Sequence, residues 1–173
     1  CAEHIEDLRK AYQEGRVDLI EYSLCGLTIA WDLIEETDAF SASERQQITD
    51  YLFQLAYLNR NAYFVYKCKD LPLDQVAFYN RHQIAGTFWM GMAAEYFTRS
   101  CALTGEQQQL AEEWRSHARR YLERLSQSYF YSDGTELLHD EGGMVMRYAL
   151  MTGLLDFVDN GSLRLLADYW VAN

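Results

Sequence analysis

The chain has 173 residues, a formal net charge of −11, 49% hydrophobic and 14% aromatic residues. That apolar content excludes an intrinsically disordered chain, and the length suits one domain, residues 1–173, that buries roughly two-thirds of its unfolded surface. The negative charge makes a phosphate backbone, and so nucleic acid, a poor partner, and no apolar run reaches the roughly 18 residues that a membrane-spanning helix needs. Pro72 is the only proline, and few β-branched runs occur, so helices are favoured throughout. The first two predicted helices cover 3–14 and 16–36, broken at Gly15, and Ile20, Leu24, Leu27, Trp31 and Ile34 form the apolar stripe of the second. Ser41-Ala-Ser-Glu44 reads as a capping box, in which hydroxyl and carboxylate satisfy free N–H groups at a helix start. The helix it opens carries Ile48, Tyr51, Leu52, Leu55 and Leu58 on one side. Asn59-Arg-Asn61 is a weak stop, the aromatic segment Tyr63 to Tyr66 extends it, and Lys67 to Asp74 is a loop.

A further helix runs from Val76 or His82 to Thr98. Ile84, Phe88, Met92 and Tyr96 make its stripe, and Gly86, Ala93 and Ala94 permit close helix packing. The next helix is expected from Glu106 to Tyr129, burying Leu110, Trp114, Ala118, Tyr121, Leu122 and Leu125. Ser132-Asp-Gly134 is a turn. Residues 135–143 read as irregular, because Gly142-Gly143 disfavours helix. Met144 to Val158 is predicted helical and stopped by Asn160-Gly161, and Leu163 to Val171 starts one more helix. Short connections make neighbouring helices antiparallel, and no strand alternation appears. The fold class is therefore all-α, built from about seven helices.

Cys1, Cys25, Cys68 and Cys101 include no C-x-x-C pair and allow three disulfide pairings. Cys25 and Cys101 read as buried thiols. The five methionines suit core packing, and His4 and His117 read as solvent histidines. A first residue of Cys fits either a lipoprotein N-terminus or a fragment of a longer protein.

Two polar segments interrupt the helical pattern. Asn80-Arg81-His82 places an amide, a guanidinium and an imidazole at a helix start, where free N–H groups and the helix dipole favour an anion. An ordinary capped helix start reads the same way. The second segment holds Asp133-Gly134, then His139-Asp140-Glu141-Gly142-Gly143, then Arg147-Tyr148. Polar loops of this kind commonly carry active-site residues. A metal site from His82, His139 and Glu141 lacks any H-E-x-x-H or paired-His spacing; neither a metal nor another cofactor is expected.

Together these segments resemble the heparinase II/III-like and alginate lyases. Asn80-Arg-His82 followed by Gly86-Thr-Phe-Trp-Met-Gly-Met-Ala-Ala94 is similar to the Asn-His helix of that family. Asp133-Gly-Thr135, His139-Asp-Glu-Gly142 and Tyr148 resemble its D-G-S/T…E…Y segment. Leu27 to Ile34 and Ser43-Glu-Arg45 look like its upstream helix pair. In this chain Arg81 stands between Asn80 and His82, where the family has the two side by side.

The resemblance implies an incomplete α/α toroid of antiparallel helix pairs, the rest of the toroid and a β-sandwich domain belonging to the same longer protein. It implies an acidic polysaccharide or oligosaccharide substrate and a periplasmic or secreted location. It implies β-elimination at a uronate residue. Asn80 would neutralise the substrate carboxylate, and His82 would act as base or second neutraliser. Tyr148 would be the acid/base, with Tyr129 and Tyr131 nearby. Arg81, Arg147, His139 and Glu141 would bind substrate. A site is expected where the Asn80–His82 helix start meets the segment ending at Tyr148.

Two other functions fit the residues. A glycoside hydrolase on a related toroid would need two carboxylic acids about 5–10 Å apart, with Asp133, Asp140 and Glu141 as candidates. A non-catalytic helical module would use the acidic, tyrosine-rich surface to bind a carbohydrate or a protein.

Overall fold

The computed structural model of the chain describes residues 23–59, 70–72, 75, 81–100, 102–126, 135–154 and 159–161, together with positions 6, 7, 10, 164, 167, 168 and 171. These residues form five helices and, among them, no strand. The helices are α1 (Ser23–Ile34), α2 (Ala42–Asn59), α3 (Arg81–Ser100), α4 (Gly105–Ser126) and α5 (Thr135–Thr152). The all-helical expectation is met.

The central element is α3, which packs against each of the other four helices. Its sequence explains why. From Ala85 to Phe97 nearly every residue is buried, and Glu95 is the only charged one. A helix apolar on all sides has no face to offer water and takes the middle of the core. Gly86, Gly91, Ala85, Ala93 and Ala94 keep its surface thin, so neighbouring backbones approach closely. Phe88, Met92 and Tyr96 are buried as the stripe predicts; the side chain of Ile84 lies outside the described residues.

Around α3 the core mixes aromatic rings with aliphatic side chains. Phe53 of α2 packs between Phe97 of α3 and Trp114 of α4, with ring centroids 5.2 and 5.1 Å apart. Contacts at such spacing add roughly 0.5–1.5 kcal/mol beyond the area buried. On α2, Leu52 and Leu55 are buried and Ile48 and Tyr51 partly so. On α4, Trp114, Ala118, Tyr121 and Leu122 are buried, with Leu110 packed at the edge. The side chains of Leu58 and Leu125 lie outside the described residues.

Helix starts follow local chemistry. The Ser41–Glu44 box forms as expected. The Ser41 N–H and hydroxyl both donate to Glu44 Oε2, at 2.9 and 2.7 Å, and the Glu44 N–H donates to Ser41 Oγ at 3.3 Å. These bonds to the charged form hold the Glu44 carboxyl below its ordinary value. A second box opens α4: the Thr104 N–H donates to Gln107 Oε1 at 3.0 Å and the Gln107 N–H to Thr104 Oγ1 at 3.3 Å. Its T-x-x-Q spacing is in the sequence but is hidden behind Gly105, which reads as a boundary.

Three expectations about helix faces and bounds are corrected. On α1, Trp31 is buried but Leu27 is 48% and Ile34 45% exposed. The buried line is instead Thr28, Trp31 and the half-buried Glu35. Tertiary bonds select it: Trp31 Nε1 donates to Thr49 Oγ1 of α2 at 3.3 Å, and the Tyr96 hydroxyl of α3 donates to Glu35 Oε2 at 2.5 Å. Residues 135–143 are helical rather than irregular, because α5 runs straight through Gly142-Gly143. Glycine costs a helix about 1 kcal/mol relative to Ala, and burial of Val145, Tyr148 and Ala149 on the same helix offsets it.

The third correction is where α5 stops. It ends at Thr152, not Val158. Gly153 takes φ 70, and the Leu154 N–H donates to Ala149 O at 3.0 Å, a Schellman cap. Met151, at its last turn, is exposed and not in the core, whereas Met90 and Met92 are buried.

Elsewhere, Asp70 to Pro72 is turn or coil, as expected, and the Arg120 guanidinium donates to Leu71 O. His117 is partly shielded, 3.7 Å from Glu113 Oε1, rather than solvated. Positions 164, 167, 168 and 171 are helical, in keeping with a helix over 163–171. The side chains of all four cysteines lie outside the described residues, as do His4 and the segment Tyr63 to Tyr66.

Candidate functional site

The residues expected to form a site belong to two segments of the chain. The first is the start of α3, whose first two residues are Arg81 and His82. Asn80 precedes it and lies outside the described residues, as do the Arg81 and His82 side chains. The helix boundary is nevertheless informative. The first turn of α3 holds no acidic residue, as is also true of α1, whereas the first turns of α2 and α4 hold Glu44 and Glu106. Acidic groups at a helix start typically gain about 0.3–1 kcal/mol from the dipole. A helix that instead opens on Arg-His forgoes that gain and leaves its positive end uncompensated by its own carboxylates.

The second segment is α5. His139, Asp140 and Glu141 belong to its helical backbone, not to a loop. Their side chains, and Asp133, Tyr129 and Tyr131, lie outside the described residues. Arg147 is exposed. Tyr148 is 0% exposed and is among the largest fully buried side chains. Its hydroxyl donates to Glu95 Oε1 of α3 at 3.4 Å, a long contact for an O–H···O bond.

The packing around Tyr148 is tight. A Cβ added at Gly91 would lie 2.9 Å from Tyr148 Cε2 and 3.0 Å from the Ala118 Cβ. Three helices thus meet at Gly91: α3, α4 through Ala118, and α5 through Tyr148. Burial is the main cause that pushes the Tyr148 phenol above its ordinary value. The negative charge of Glu95 adds to the shift, while Arg119 and Arg115 on α4 oppose it.

Chemically this arrangement keeps the phenol protonated and aimed at a carboxylate within the protein. A group that protonates a leaving glycosidic oxygen must come within hydrogen-bond reach of it, and the Tyr148 hydroxyl here faces Glu95. Gly91 and Glu95 stand nine and thirteen residues beyond His82, about 13 and 20 Å along the helix axis at 1.5 Å per residue. Helices α3 and α5 do pack together. Tyr148 meets α3 well past its first turn.

Sequence reasoning passed over Glu95, the buried carboxylate that accepts from the Tyr148 hydroxyl. A signal was present: one carboxylate inside an otherwise uncharged run from Ala85 to Phe97. Among the described residues, no group of three or more His, Cys, Asp or Glu could hold a metal ion. Among them, too, no helix is long and apolar enough to cross a membrane. No protein family, curated protein or solved structure matches the chain.

Proposed function

We propose that this chain is the helical part of a polysaccharide lyase that cleaves a uronate-containing polymer by β-elimination, its helices belonging to an incomplete α/α toroid. One observation carries the reading. Asn80-Arg81-His82 brings an amide, a guanidinium and an imidazole to the sequence that opens α3, whose first turn, like that of α1, holds no acidic residue. The same three residues carry the resemblance to heparinase- and alginate-type lyases.

The chemistry assigned to them balances. The uronate C5 proton lies α to a carboxylate, and His82 takes it. Asn80 and the helix N-terminus lower the energy of the charge that develops on the carboxylate. The electron pair forms a C4–C5 double bond and the C4–O bond breaks, so the leaving oxygen needs a proton. With the Tyr148 hydroxyl engaged by Glu95, that donor role falls to Tyr129 or Tyr131. Arg81 and the exposed Arg147 serve as substrate clamps, with His139 and Glu141 as further polymer contacts. Such a protein would work in the periplasm or outside the cell, joined to a β-sandwich domain.

The test is to incubate the chain, and the longest protein that contains it, with alginate, heparin-like and other uronate polymers. Formation of the C4–C5 double bond is followed by near-ultraviolet absorbance. Asn80→Ala and His82→Ala should each lower the rate by roughly 10²-fold or more. Absence of unsaturated product across the panel overturns the proposal.

A second reading is a non-catalytic helical module that binds a carbohydrate or a protein. The burial of Tyr148 favours it, as does the net charge of −11, which repels an anionic polymer. Saturable binding of a neutral oligosaccharide or a protein, with no bond cleaved and no effect of Asn80→Ala, would establish it over the lyase.

A further inference from the structure

We draw no further inference here: the strongest candidate, the exposed apolar patch of Leu27, Leu33 and Ile34 on α1, carries nothing because nothing in the structure shows what covers it.

Discussion

Tyr148 of α5 and Glu95 of α3 meet in the core, the phenol hydroxyl 3.4 Å from Glu95 Oε1, with Tyr148 wholly shielded from water. A buried carboxylate is costly unless it is hydrogen-bonded, so the tyrosine and the acid depend on each other. Tyr148→Phe should destabilise the fold by about 1–3 kcal/mol, the usual cost of leaving a buried polar group short of a partner. Combining it with Glu95→Gln should cost less than the sum of the two single changes. Urea denaturation of the four proteins measures this. Strict additivity would show that the pair is not coupled.

Alkaline pH should loosen the same contact. Burial and the charge of Glu95 raise the Tyr148 phenol above its ordinary value. A raised folded-state pKa means that the folded protein holds the proton more tightly than the unfolded chain. The stabilisation is fully present below about pH 10, the unperturbed tyrosine value, and is lost as pH rises above it. Urea midpoints measured on either side of that value should fall on the alkaline side. The fall should be shallower in Tyr148→Phe; an equal slope in both proteins would assign the effect to other groups.

Two glycines should respond in opposite directions to the same substitution. Gly91→Ala drives a methyl group to 2.9 Å from a packed tyrosine ring and 3.0 Å from Ala118. Overpacking of that kind costs about 1–3 kcal/mol. Gly143 is a helix-interior glycine with nothing within 4 Å of an added Cβ. There Gly143→Ala should stabilise by roughly 0.4–1 kcal/mol, by removing backbone freedom from the unfolded chain. Thermal melts of both variants decide the matter, and a stabilising Gly91→Ala would contradict the three-helix junction.

The two capping boxes offer a local test. Thr104→Ala should cost α4 about 1 kcal/mol by leaving the Gln107 N–H without its acceptor. Ser41→Ala should weaken α2 in the same sense. Because the Glu44 carboxyl is held below its ordinary value by Ser41, the contribution of that box is present above the ordinary carboxylate range. It is lost as pH falls through the folded-state value. Acid titration of stability should therefore be flatter in Ser41→Ala than in the parent.

For this protein, periodicity and capping chemistry were enough to establish the helical class, the Ser41–Glu44 start of α2 and the buried stripes of α3 and α4. Those features depend on interactions within a few residues, and such interactions are written in local spacing. The opening of α3 on Arg81-His82 belongs with them, since it is a property of one helix end.

Tertiary structure decided the rest. Periodicity favoured the Leu27–Ile34 side of α1, yet contacts to Thr49 and Tyr96 turned Thr28, Trp31 and Glu35 inward. Gly142-Gly143 argued locally for a break, yet burial further along α5 kept the helix intact. The sequence presents Tyr148 as a candidate acid/base and does not show that it is buried beside Glu95. Its role depends on Gly91, Glu95 and Ala118, up to 57 residues away in the chain. Those distant positions supply the space, the carboxylate and the shielding, and no local pattern around Tyr148 encodes them.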